Sequence, residues 1–350
     1  MSTSTAETGR RKADVPQGGA SSFTTEDRPA KRFRFASGEE FSILVATVAV
    51  VLGASIVADG FLTAENLLSI AQQIALLGIV ATGMTYVIVV GEIDLSVGSQ
   101  YGFLAIALAW LIHDVGLPVG PAIPLVLLLG AVIGAINGIV TVAFNIPSFV
   151  VTLASLSVLR GAALVLSDGV PIQGSTNETF RSLMAGQPFT NLSAQSLWMI
   201  AVMVTLGAVL AVTRFGSDVY SVGGNAKGAR DAGINVPLIK VACFALAGCL
   251  AALAAVIVVA WLGNANPLTG TGFELSVIAA VVVGGASLSG GKGTVFGTLL
   301  GAIIAGVLSN ALVLAGIDGN WQQIATGGLI LVAVLLNRFV GARASRLSTT

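Results

Sequence analysis

The side chains in this sequence that could do chemistry are few, and they stand in three places. The stretch Val219 to Lys240, VYSVGGNAKGARDAGINVPLIK, carries Lys227, Arg230, Asp231 and Lys240, with Arg214 and Asp218 just before it. In a chain with only 10% charged residues, it is the densest charge cluster outside the N-terminal tail. The stretch Gly91 to Ser99, GEIDLSVGS, sets Glu92 and Asp94 beside an apolar run. Arg160 and Glu274 stand apart, the first within an apolar run and the second at the end of one. None of these makes a catalytic set, because no nucleophile has a plausible base. The lone His113 falls at the external end of an expected helix and reads as a solvated boundary residue. Cys243 and Cys249 lie six apart on one expected helix, point to different faces and cannot pair there. The run Gly290-Gly291-Lys292-Gly293 hints at a phosphate loop, but Gly293 follows the lysine where that loop needs Ser or Thr. Nucleotide binding by this chain is therefore not expected. Charges placed at and within apolar runs do other work: they pair, face water or meet a polar partner.

The elements that must position them cross a membrane. The chain has 350 residues, 55% hydrophobic, with a mean hydropathy of +0.92. A soluble domain carries roughly a quarter charged residues. Most of this surface needs a solvent other than water. The apolar runs are continuous rather than alternating, which excludes a β-barrel. The 43 glycines suit close helix packing in lipid. A net charge of zero argues against a nucleic-acid partner. Ten spans are expected, at about 41–58, 67–90, 98–113, 122–144, 147–166, 195–214, 237–262, 272–286, 294–314 and 321–340. The third, fifth and eighth are shorter or more glycine-broken than the rest. With the N-terminus inside, 15 Lys and Arg fall on inner segments and Arg181 alone on an outer loop, with Arg160 within a span. That asymmetry obeys the positive-inside rule and places both termini in the cytoplasm. Residues 1–40 read as a disordered cytoplasmic tail and not a signal peptide, 41–340 as a single transmembrane domain, and 341–350 as a cytoplasmic tail. The basic Lys31 to Phe35 could lie on anionic headgroups or serve only as an inside anchor.

Several short stretches carry two readings each. GEIDLSVGS is either a broken helix at a pathway or gate, with Gly91 and Gly98 permitting the break, or an ordinary inner turn capped by Asp94 or Ser96. It shares V-G-x-x-x-L-S-x-G with Val283 to Gly291, which points to an internal repeat or to a coincidence between glycine-rich turns. Asn145-Ile146-Pro147-Ser148-Phe149 suits a helix start, with Pro147 in its first turn. Arg160 needs a partner or an aqueous cavity; Glu274, at the outer end of the eighth span, is the candidate. Gly130, Gly134 and Gly138, and Gly293, Gly297, Gly301 and Ala305, form small-residue stripes for helix packing. The outer segment 167–194 is either a docking surface or a plain connector.

Four stretches together resemble the permease subunits of bacterial ABC importers for monosaccharides, the ribose/xylose/galactose class. They are GEIDLSVGS (91–99), NGIVTVAFNIPSFVVTLASLSVLRG (137–161), VGGNAKGARDAGINV (222–236) and FELSVIAAVVVGGASLSGGKGTVFGTLLGA (273–302). The resemblance covers about 41–340, in the family's order. It implies an all-α integral membrane fold of about ten helices, some broken, like permeases of type II ABC importers. It implies a homodimer in the bacterial inner membrane, bound to lipid, with two cytoplasmic ATP-binding subunits beneath and a periplasmic or lipoprotein sugar-binding protein above. ATP and Mg would sit on the partner ATPase, and this chain would bind no cofactor or metal and be no enzyme. Coupling to the ATPase falls on the loop at about 215–236, at Gly223, Gly224, Asn225, Lys227, Ala229, Arg230, Asp231, Gly233 and Ile234. Pathway or gate positions are Gly91, Glu92, Asp94, Ser96, Gly98, Asn137, Pro147, Ser148, Phe149, Arg160, Glu274, Gly284, Gly285 and Ser287. The chain departs from the family at Gly228, Asp231 and Ala232, where Ala, a hydrophobe and Ser are usual; a shorter coupling helix or a different partner groove is the expected result.

Three other readings compete. A branched-chain amino acid permease would keep the architecture and change the cargo. A secondary transporter driven by H⁺ or Na⁺ needs paired carboxylates at mid-depth, whereas Glu92 and Asp94 are expected at an inner end and Glu274 at an outer end. A structural scaffold leaves the charged loop and the broken helices without a role.

Overall fold

Two long helices occupy the centre of the described bundle, and the other elements pack around them. The computed structural model describes residues 2–3, 38–188 and 192–317, and then 321, 324, 327–328 and 331. The chain divides into two units between Phe35 and Ala36, and every described helix and strand belongs to the second. The expected N-terminal tail lies almost wholly outside the described residues, as do most of the tenth expected span and the C-terminal tail.

In chain order the elements are α1 (Gly38–Val57), α2 (Ala64–Val89), α3 (Val97–His113), α4 (Val119–Ala143), α5 (Ser148–Leu166), β1 (Ile172–Gln173), α6 (Glu178–Ala185), α7 (Ala194–Val212), α8 (Arg214–Gly224), α9 (Ala226–Asp231), α10 (Val236–Leu262), β2 (Asn264–Ala265), α11 (Phe273–Val283) and α12 (Val295–Leu314). Among the described residues seven helices are long and apolar enough to cross a membrane: α2, α4, α5, α7, α10, α12 and nearly all of α1. α3 and α11 are shorter apolar helices. The all-α membrane architecture is as expected. The fifth span is an unbroken helix of 19 residues, not an interrupted one. The eighth is shorter than expected, at 11 residues. At 1.5 Å per residue it spans about 17 Å, well short of a hydrocarbon core of roughly 30 Å.

α2 and α10 are central: 67% of the most apolar window of each is buried, against 6% for α1 at the rim. α10 packs on α4, α2 and α3, while α2 also packs on α7, α11 and α12. The small-residue stripes explain the closest approaches. Gly130 and Gly134 face the backbone carbonyls of Gly248 and Phe244, with no room for a methyl group. Gly297 and Gly301 meet the carbonyls of Gly284 and Ala280 in the same way. At one end of the bundle β1 pairs antiparallel with β2, Ile172 opposite Ala265. The loops after α2, α4, α8 and α11 meet at the other end.

Candidate functional site

The α2–α3 break is built from its own sequence. Gly91 takes φ +88°, its amide returns to Ile88 O, and the Glu92 amide returns to Val87 O. That is a Schellman stop, and glycine takes the left-handed position at least cost. Asp94, fully buried, then turns the chain into α3. Its Oδ1 accepts from the Ser96 amide (2.8 Å) and the Ser96 hydroxyl (2.5 Å), and its Oδ2 from Gln100 Nε2 (3.2 Å). Ser96 occupies the N-cap position but makes no side-chain cap bond; Asp94 instead closes a turn onto the Ser96 amide. Ser96 Oγ also accepts from Gln100 Nε2 (2.7 Å) and from Asn137 Nδ2 of α4 (3.0 Å). α5 holds the other side: Ser148 Oγ accepts from the Ile93 amide (3.1 Å), and Thr152 Oγ1 from the Leu95 amide (3.0 Å). Irregular backbone inside the bundle is thus satisfied by protein. Gln100 and Thr152 were not singled out from sequence. A polar side chain within an apolar run is the signal that could have found them.

The second glycine stretch repeats this construction. After α11, Gly285 takes φ +89°, its amide returns to Val282 O, and the Ala286 amide to Val281 O. The Ser289 amide then donates to Ser287 Oγ (3.3 Å), as the Ser96 amide does to Asp94. Sequence alignment sets Gly91 against Gly284. The geometry sets it against Gly285, with one residue fewer before the turn at Ser287. The Gly291 amide donates to Val89 O (2.8 Å), and Gly290 lies on Gly91. Gly223, at the end of α8, fits against Val89 O and Gly291 N with no space for a side chain. The Tyr220 hydroxyl donates to Gly293 O (2.6 Å). Burial, and then the charge of Glu40, hold that phenol above its usual pKa, so it stays a donor.

Beyond Gly223 the chain leaves the bundle. Asn225 ends α8 and caps α9, its Oδ1 accepting from the Gly228 amide (3.0 Å). A Cβ at Gly228 would come within 3.1 Å of the Asn225 side-chain amide nitrogen, so glycine leaves that cap its room. α9 has six residues. It closes on a Schellman stop: the Gly233 amide returns to Arg230 O and the Ile234 amide to Ala229 O. Ala229 is buried, whereas Lys227, Arg230 and Asp231 are exposed. Gly224 and Gly233 are exposed beside it. A short polar helix is thereby presented outward, anchored at both ends. Lys240, in the second turn of α10, reaches Glu92 in an ion pair.

Pro147 and Phe149 are exposed on the rim beside buried Ser148, and Pro147 caps α5 rather than entering its first turn. Asn145 takes a left-handed conformation, φ +53°, and stops α4, with the Ile146 amide on Thr141 O.

Gly98, Arg160 and Glu274 form a separate group. Glu274 is not at the outer end of the bundle. The segment 266–272 descends along α3, so that Gly270 O and Glu274 Oε2 lie against Gly98, in the first turn of α3. Tyr101 and Phe273 pack ring to ring, 5.2 Å apart. The starts of two shortened helices, α3 and α11, therefore meet within the bundle. Arg160 Nη1 donates to Pro267 O (3.0 Å) and Thr269 O (2.9 Å). The expected Arg160–Glu274 salt bridge does not form: the guanidinium holds the descending segment by its carbonyls. Glu274 Oε2 is buried with no protein hydrogen-bond partner.

Shortened helices whose starts meet within a membrane bundle recur in transporters. The profile of the family described as "Branched-chain amino acid transport system / permease component" matches residues 66–334, and the chain belongs to that family. It is a multi-pass membrane protein. It is 39% identical over 305 residues to the ribose import permease protein RbsC of Haemophilus influenzae, covering 87% of this chain and 93% of the relative. It is 41% identical over 292 residues to RbsC of Bacillus subtilis, covering 83% and 89%. It is 34% identical over 302 residues to the L-arabinose ABC transporter permease protein AraH of Azospirillum brasilense, covering 85% and 86%. No solved structure matches it.

Proposed function

We propose that this chain is the membrane-spanning subunit of an ATP-driven importer for a monosaccharide, working as a homodimer in the bacterial inner membrane. The observation that carries the reading is α9, a short helix with Lys227, Arg230 and Asp231 exposed, capped at its start by Asn225 and closed at its end by the Gly233 stop. Such a helix passes a push from a docked partner to α8 and α10 without dissipating it. Two cytoplasmic ATP-binding subunits dock there and carry ATP and Mg, while a sugar-binding protein delivers cargo at the β1–β2 end. Both termini face the cytoplasm. ATP-driven movement of α9 shifts the bundle between outward- and inward-facing states. The pathway runs past Gly98, Arg160 and Glu274, where the starts of α3 and α11 meet, and the glycine loops at the α9 end form its inner gate. A monosaccharide is favoured because the relatives named for a solute, at 34–41% identity, are ribose and arabinose permeases. Glu274 lies deeper than its sequence position implied, so carboxylate depth no longer argues against an ion-coupled carrier; family membership and α9 do.

The test is gentle purification of the tagged chain from its native membrane and the intact mass of the complex. Two copies with two ATP-binding subunits is the expected result. The ligand of the co-purified binding protein then names the cargo, and an amino acid there would move the reading to the family's branched-chain branch. A chain that comes out alone, with no ATPase under crosslinking, would overturn the importer. In cells, Arg230→Glu is expected to abolish uptake of the cargo so named and leave membrane insertion intact.

A further inference from the structure

The end of α2 is touched from two directions by the segment that carries α9, and the two contacts differ in kind. On the α8 side Gly223 lies against Val89 O with bare backbone. Such a contact is close and has no side chain to interlock, and Tyr220, one turn earlier on α8, donates to Gly293 O. On the α10 side Lys240 and Glu92 form an ion pair. Their side chains are 22% and 11% exposed. A pair this shielded is held more firmly than a fully exposed one, because each partner is partly withdrawn from water.

Glu92 is also well placed to hand motion on. Its amide is fixed to Val87 O on α2, and the next residue, Ile93, donates to Ser148 at the start of α5. Lys240 lies one turn into α10, just beyond the stop at Gly233 and Ile234 that ends α9. We propose that the Glu92–Lys240 pair is the tether that carries movement of α9 to the α2–α3 break and the start of α5. Lys240 and Glu92 are then positioning residues for transport, acting through the break and not on the cargo. The inference rests on the coupling role proposed for α9.

The experiment uses the intact complex of this chain with its ATP-binding subunits, with Cys243 and Cys249 replaced by alanine. Single cysteines at Lys227, on α9, and Ile146, at the foot of α5, report maleimide labelling rates without nucleotide and with ATP–vanadate. With the native pair both positions should respond, Ile146→Cys by about fivefold or more, the lower end of ordinary coupling between sites. In Glu92→Gln and in Lys240→Met, Lys227→Cys should still respond while the Ile146→Cys response collapses. Lys240→Arg, and the exchange Glu92→Lys with Lys240→Glu, should restore it. An Ile146→Cys response that is absent with the native pair, or unchanged in both single variants, would overturn the tether. So would failure of both Lys240→Arg and the exchange to restore it. If Lys227→Cys itself ignores ATP in the native pair, the coupling role of α9 fails first, and the tether with it.

Discussion

Asp94 shows how a single buried carboxylate can fix a helix break. Every donor around it is neutral: the Ser96 amide, the Ser96 hydroxyl and the Gln100 amide. Ser96 Oγ already accepts from Gln100 and Asn137, so its own proton is committed to Asp94. Removing the carboxylate orphans buried donors, each at about 1–3 kcal/mol. Asp94→Ala should therefore lower the thermal unfolding midpoint in detergent by more than Asp94→Asn, which keeps an acceptor for Ser96. Equal losses would mean that charge, not acceptance, matters there. Asn145 is a second single-residue case. A left-handed conformation costs a residue other than Gly or Asn about 1–2 kcal/mol. Asn145→Gly should leave the unfolding midpoint near its native value, while Asn145→Val should depress it, as the same measurement would report.

Among the described elements, the most extensive joint is α4 on α10. A Cβ at Gly134 would collide with the Phe244 carbonyl, and backbone cannot move aside as a flexible side chain can. Gly134→Leu is expected to abolish recovery of folded protein from the membrane, whereas Gly161→Ala, with nothing near it on α5, should not. Size-exclusion profiles of the two variants would decide. This joint was legible in the sequence because small residues at every fourth position leave a visible pattern. So were the long helices, through continuous apolar runs, and the polar α9, through charge where charge is scarce. The position of Glu274 was not legible. It depends on the 266–272 segment running inward along α3, and nothing in its composition separates an inward loop from an outward one. Nor could the Arg160 partner be read off, since backbone carbonyls leave no mark in a sequence. The one-residue offset between the two glycine stops is hidden for a similar reason: Gly284 and Gly285 look alike until φ tells them apart.

For the whole molecule, the proposed orientation puts the β1–β2 end outside and α9 inside. Thr176 and Lys227 are both exposed, so each suits a single-cysteine probe. In intact cells Thr176→Cys should react with an impermeant maleimide and Lys227→Cys only after lysis; the reverse pattern would invert the protein. The described ends of the bundle also differ in how they would treat an intruder. Surface connections normally accept inserted tags and proteases, because little is built on them. The stretch from Gly284 to Thr294 has the composition of such a linker, yet its amides bind Val89, Ser287 and Lys292 carbonyls and its glycines lie on two other backbones. The Ser287, Gly290 and Gly291 amides should exchange hydrogen as slowly as those of the helices beside them. An epitope inserted there would wedge three segments apart, whereas one placed at 114–118, where Gly116 has nothing near it, would ride along unnoticed.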